Sequence, residues 1–239
     1  MSAALPADAD TTDRPTWGMP DAAICFVVGT AVAIIAVSAA IGAGAGDTSL
    51  AATTASLLGL WIGLLGSMWL VWRAKGGSSF AGDFGLKVRW PRDLIGVPIG
   101  IVTTYAASWL LYLPLSRFID VDKVDDAAKE LADRAGRGLG LAALAVLVVI
   151  GAPIVEELFY RGMLLATVRR RFGSRIAIGA SATIFAAAHF ELLQFPALLA
   201  LGLVLGYLAV RYERIGPCIW VHSTFNAVAM IGLIYRAYS

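Results

Sequence analysis

The chain has 239 residues, 59% of them hydrophobic and only 15% charged, with a formal net charge of +2. A soluble domain carries roughly 25% charged and 45–50% apolar residues, so a water-soluble fold is excluded and the surplus apolar surface has to face lipid. The small net charge gives no footing for a nucleic-acid partner, and Cys25 and Cys218, each inside an apolar run, read as small buried hydrophobes rather than a disulfide or metal site.

The first twenty residues are acidic and contain proline, with a single Arg and no apolar core, which excludes a signal peptide. Residues 1–21 read as a short disordered tail on the cytoplasmic side. A helix needs about 20 mostly apolar residues to cross the hydrocarbon layer. Seven segments meet or approach that length: Ala22–Ala43, Leu50–Trp72, Leu94–Leu115 (interrupted by Pro98 and Pro114), Leu139 to about Leu165, Ile176 to about Phe190, Phe195–Val210 and Ile215–Tyr235. The fifth and sixth are short, and Glu191, Gln194 and Pro196 supply a turn that makes them separate spans. Within the loop Ser116–Gly138, residues 121–135 have helix-forming composition, with opposite charges four apart at Asp125/Lys129 and Glu130/Arg134. This stretch reads as a short interfacial helix. The prediction is an all-α polytopic membrane helix bundle of about seven transmembrane helices, one membrane domain over 22–239 with no internal repeat.

Loop charges orient it. Arg73, Lys75, Lys87, Arg89 and Arg92 lie between spans two and three, Arg169, Arg170, Arg171 and Arg175 between four and five, and Arg211 and Arg214 between six and seven. The opposite side has only the mixed loop Ser116–Gly138. The positive-inside rule then places the N-terminus in the cytoplasm and the C-terminus outside.

Polar side chains within the spans are few. Span four carries Glu156, Glu157 and Arg161, span five His189, and span seven His222 and Asn226; these two histidines are the only ones in the chain. A charge at a helix centre costs roughly 2.5–3.5 kcal/mol, and persists by pairing or by facing a wet cavity. Glu157 and Arg161 are four apart and share a face, so they read as a structural pair that fixes the helix or contacts substrate. Glu156 projects about 100° away and is left unpaired, with only the Tyr160 hydroxyl within reach on its own helix. His222 and Asn226 are again four apart. Counted from the basic loops at 1.5 Å per residue, Glu156, His189 and Asn226 all lie about 18–21 Å deep and His222 about 12 Å. Three helices thus bring a carboxylate, two imidazoles and an amide to one layer.

That set suits water activation. A carboxylate in a low-dielectric site is a better general base near neutral pH, an imidazole can share the water or hold a metal, and a second imidazole and an amide can donate to a developing oxyanion. The chemistry predicted is peptide-bond hydrolysis by direct attack of water, since Ser223 and Thr224 sit in no nucleophile elbow.

The residues that carry this chemistry also carry a family likeness. Glu156-Glu157-Leu-Phe-Tyr-Arg161 resembles the EExxxR motif of the CPBP family of CAAX proteases and bacteriocin-processing (Abi) enzymes. Phe185-Ala-Ala-Ala-His189 resembles its FxxxH motif and His222-Ser-Thr-Phe-Asn226 its HxxxN motif. The likeness covers roughly 139–235. It implies an intramembrane endopeptidase in which Glu156, helped by His189, activates water while His222 and Asn226 form the oxyanion hole. Members of the family have also been called metalloproteases. No cofactor is favoured here, because HExxH is absent; if a metal were bound, zinc on Glu156, His189 and His222 is the set on offer. The short chain, the small loops and the absence of organelle signals point to a bacterial relative, a multi-pass plasma-membrane protein, and the likeness implies a peptide or membrane-protein substrate. Two other functions fit the same polar residues: a proton-coupled transporter using Glu156, His189 and His222 as a relay, and a non-catalytic membrane partner or immunity protein.

Overall fold

The computed structural model describes residues 15–118, 120, 123–124, 126–136 and 138–238. The described residues are helical, with no strand among them. We label the helices α1 (Met19–Gly42), α2 (Leu50–Lys75), α3 (Arg92–Leu115), α4 (Asp126–Ala135), α5 (Leu139–Phe172), α6 (Ser174–Ala187), α7 (Phe195–Tyr212) and α8 (Gly216–Tyr238). Six of them (α1, α2, α3, α5, α7 and α8) are long and apolar enough to cross a membrane, and α6 is a shorter apolar helix of 14 residues. The chain is a polytopic helical membrane bundle of about seven spans, as its composition requires.

The boundaries differ from expectation in ways with local causes. The start of the expected tail, 1–14, lies outside the described residues, but Pro15–Gly18 pack against the bundle. Trp17 is buried and stacked on Phe84 at 4.6 Å. Helix α1 begins three residues earlier than expected, with Pro20 in its first turn and the Gly18 N–H donating to the Asp21 carboxylate at 2.8 Å. Helix α5 runs past Leu165 to Phe172, so the Arg169–Arg171 cluster forms its last turn, where cations face the carbonyl ends favourably. Helix α6 ends at Ala187, leaving His189 in the following turn, where Phe190 has a left-handed φ of 56°. The interfacial helix forms with Glu130–Arg134 paired at 2.6 Å. The other expected pair involves Asp125, outside the described residues, and Lys129 pairs with Asp126 at 3.2 Å.

Lipid tails are as apolar as leucine, so helices associate in a membrane by close packing and polar contacts. The three most extensive helix interfaces, α1/α2, α6/α7 and α3/α8, each contain a Gly-x-x-x-Gly step. A Cβ at Gly63 (of Gly59/Gly63) would stand 2.8 Å from the Gly29 Cα, one at Gly202 (of Gly202/Gly206) 2.9 Å from the Ala182 Cα, and one at Gly100 (of Gly96/Gly100) 2.7 Å from the Val221 carbonyl oxygen.

Helix α5 is wound loosely over two π-helical stretches, Leu147–Gly151 and Leu158–Leu165, which bracket Ala152–Glu157. Pro153 explains the first. It has no N–H, and its ring crowds the preceding turn of an α-helix. The Ala152 N–H donates back to the Leu147 carbonyl in π register. The Val148 carbonyl is then left with neither its α partner, residue 152, nor its π partner, residue 153. In a membrane such a group has to be satisfied from elsewhere.

Candidate active site

The buried centre is Glu157. Its side chain and that of Arg161 are both fully buried, and Arg161 Nη1 donates to Glu157 Oε1 at 2.8 Å. Arg161 Nη2 also donates to the Gly202 carbonyl at 3.3 Å, which the close α6/α7 approach brings within reach. The i,i+4 pair expected from sequence is therefore formed. The same Oε1 lies 2.9 Å from His222 Nδ1 on α8. A carboxylate only accepts, so Nδ1 carries the proton, and in the neutral ring Nε2 carries the lone pair.

Nε2 of His222 faces Glu156, with 3.9 Å to Oε2. That is too long for a hydrogen bond. Glu156 Oε2 is buried and has no protein partner, while the side chain as a whole keeps 19% of its exposure. Glu157 is held through Oε1 by Arg161 and His222, with its buried Oε2 unpaired, whereas Glu156 accepts no hydrogen bond among the described residues and stands beside the imidazole.

Phe185, fully buried on α6, is the shared surface of the site. His189 packs edge-on against it at 4.8 Å and His222 at 5.5 Å, Tyr160 meets it at 5.2 Å, and the Arg161 guanidinium lies over it at 4.6 Å. His189 Nδ1 bonds the Phe185 carbonyl at 2.8 Å, so it donates there and turns Nε2 outward as an acceptor.

Asn226 is held differently from the spacing argument. Its Nδ2 donates to the Val148 carbonyl at 2.8 Å, the carbonyl stranded by Pro153. One amide N–H is thus committed to repairing α5. Glu156, Glu157, Arg161 and His222 come together directly, His189 joins them through Phe185, and Asn226 bridges α8 to α5 upstream of the glutamates.

Sequence reasoning missed three things: the His222–Glu157 bond, the Phe185 hub and the Val148 repair. The first two span elements distant in sequence and had no local signal beyond the motifs themselves. The third had one, because a proline fourteen residues into an apolar span, Pro153 after Leu139, announces a carbonyl without a donor. Among the described residues no group of three or more His, Cys, Asp or Glu side chains could hold a metal ion. Glu156, His189 and His222 are not such a group, although fixing Nδ1 by Glu157 or by the Phe185 carbonyl leaves Nε2 of each imidazole with its lone pair.

Residues 138–228 match the family model described as Rce1-like, the type II CAAX prenyl endopeptidase Rce1-like family. This segment is Rce1-like. It spans α5 to most of α8 and contains Glu156, Glu157, Arg161, His189, His222 and Asn226. At the level of the family, the Rce1-like match supports a membrane-embedded endopeptidase, and the likeness drawn from the three motifs stands. Helices α1–α4 lie outside the matched residues. No curated protein and no solved structure matches the chain.

Proposed function

We infer that the protein is an intramembrane endopeptidase that hydrolyses a peptide bond with water activated by Glu156. The observation that carries this reading is the uncommitted, buried Oε2 of Glu156 beside His222, whose opposite nitrogen is fixed by Glu157. Glu156 takes a proton from water as its oxygen attacks the scissile carbonyl, and returns that proton to the leaving amine when the C–N bond breaks. His189, with Nε2 free to accept, helps position the water. A ring N–H of His222 and the second amide N–H of Asn226 are the donors offered to the tetrahedral oxyanion. For His222 this calls for a proton on Nε2 in addition to the one that Nδ1 directs at Glu157. Glu157 and Arg161 position His222. No step is routed through a metal.

The substrate class is a peptide or membrane-protein segment, and the membrane is the plasma membrane of a bacterium, with the basic loops and N-terminus in the cytoplasm. The test is cleavage of a fluorogenic peptide by purified protein. Glu156→Gln keeps size and shape but removes the base, so activity should fall at least about 1,000-fold, the range for loss of an essential proton-transfer group. The circular dichroism spectrum and melting temperature should stay at wild-type values. Full activity in Glu156→Gln would remove the reading.

A further inference from the structure

A second cavity lies at the end of the bundle that carries the basic loop. Its volume is about 440 Å3, and four arginines line it, Arg161, Arg169, Arg170 and Arg214, against two carboxylates, Asp83 and Glu213. The size lies in the range of ligand pockets, about 300–1,000 Å3. Its charges are unevenly matched. Arg161 is held by Glu157, Arg214 by the buried Asp93, and Arg169 by Glu213 at a loose 3.6 Å. Asp83 is turned to its own loop, where Oδ2 accepts from the Trp72 indole at 2.9 Å and the Gly77 N–H at 2.8 Å. Arg170 donates to the backbone carbonyl of Trp17 and has no carboxylate in a salt bridge among the described residues. One guanidinium, Arg170, is therefore left without a carboxylate, and a second, Arg169, is held only loosely. Trp17 and Trp72 stand beside its wall residues Phe84 and Asp83.

We propose that this cavity binds the phosphate of an anionic phospholipid headgroup. Guanidinium groups match phosphate oxygens in forked, charge-assisted bonds, and basic pockets between membrane helices take such headgroups. The same chemistry would accept a soluble phosphate monoester. Arg161 lines the cavity while its buried side chain bonds Glu157, so the charge of a bound phosphate is felt through it at Glu157 and His222. This coupling rests on the peptidase reading, and the binding does not.

The experiment uses the full chain in nanodiscs of phosphatidylcholine, with or without phosphatidylglycerol, read by melting temperature and by native mass spectrometry of retained lipid. A separate arm adds sn-glycerol 1-phosphate to the phosphatidylcholine discs. Phosphatidylglycerol should raise the melting temperature and stay bound. The Arg169→Gln/Arg170→Gln double variant should weaken retention about tenfold, as loss of one charge-assisted contact requires. Ala166→Phe, which fills the cavity without touching a charge, should do the same. Arg171→Gln/Arg175→Gln, at the same α5/α6 corner but off the cavity, should stay within about twofold of wild type. A response to glycerol phosphate alone supports the phosphate site with a soluble source. No response to either ligand, or equal loss in the Arg171/Arg175 variant, overturns the site. Peptidase activity that depends on phosphatidylglycerol in wild type but not in the double variant supports the coupling. Equal dependence in both removes it, and a chain that binds lipid yet cleaves no peptide defeats the peptidase reading alone.

Discussion

The α1/α2 hairpin and the α5/α8 seam are both helix pairs buried in one membrane protein, and they are held together by opposite means. The hairpin closes on glycine: Gly29, Gly59 and Gly63 let two backbones touch, and dispersion does the rest. The seam closes on polar groups, with Glu157 shared between Arg161 and His222, and Asn226 on the Val148 carbonyl. Close packing tolerates no added volume but has no preferred chemistry. The polar seam tolerates a change of volume better than a change of charge, because each of its groups has been taken out of water for the sake of a specific partner.

The largest effect expected from this contrast comes from breaking the buried pair. Arg161→Met leaves Glu157 charged and uncompensated, at a cost of about 3–5 kcal/mol. It should lower the melting temperature in detergent and lower peptidase activity with it, since Glu157, which holds His222, loses its own anchor. In the hairpin, Gly63→Leu should cost about 1–3 kcal/mol by overpacking and leave the residual activity per folded molecule unchanged. If Gly63→Leu altered the pH profile of cleavage, the separation between scaffold and site would fail. The smallest effect sharpens the comparison most. Asn226→Ala strands the Val148 carbonyl, costing about 1–2 kcal/mol. Adding Pro153→Ala restores an N–H to α5, so the double variant should be more stable than Asn226→Ala alone. Strict additivity of the two changes in denaturation would show that Asn226 does not serve that carbonyl.

Much of this contrast is written in the sequence. The spans follow from apolar run length. The Glu157–Arg161 pair follows from a spacing of four, and the isolation of Glu156 from the roughly 100° that separates adjacent residues on a helix. The Gly-x-x-x-Gly steps at 59–63, 96–100 and 202–206 are equally visible as local patterns, and they mark the three helix interfaces. What stays hidden depends on neighbours far along the chain. Nothing near His222 says that its Nδ1 will meet a glutamate on another helix, and counting depth at 1.5 Å per residue assumes a straight α-helix, which π turns around Pro153 violate. His189 shows the same limit, since a run of apolar residues does not reveal that the helix stops two residues before it.

The brevity of α6 reaches beyond the protein. Its 14 residues rise only about 21 Å, well short of a hydrocarbon layer of about 30 Å. Phe190 and Leu192, 90% and 87% exposed at its far end, meet whatever lies there. Lipid around this corner has to thin or dip toward His189. The acyl-chain length of the host bilayer therefore sets how deeply the histidine is covered, and the same polypeptide moved between thin and thick membranes would carry a differently shielded imidazole.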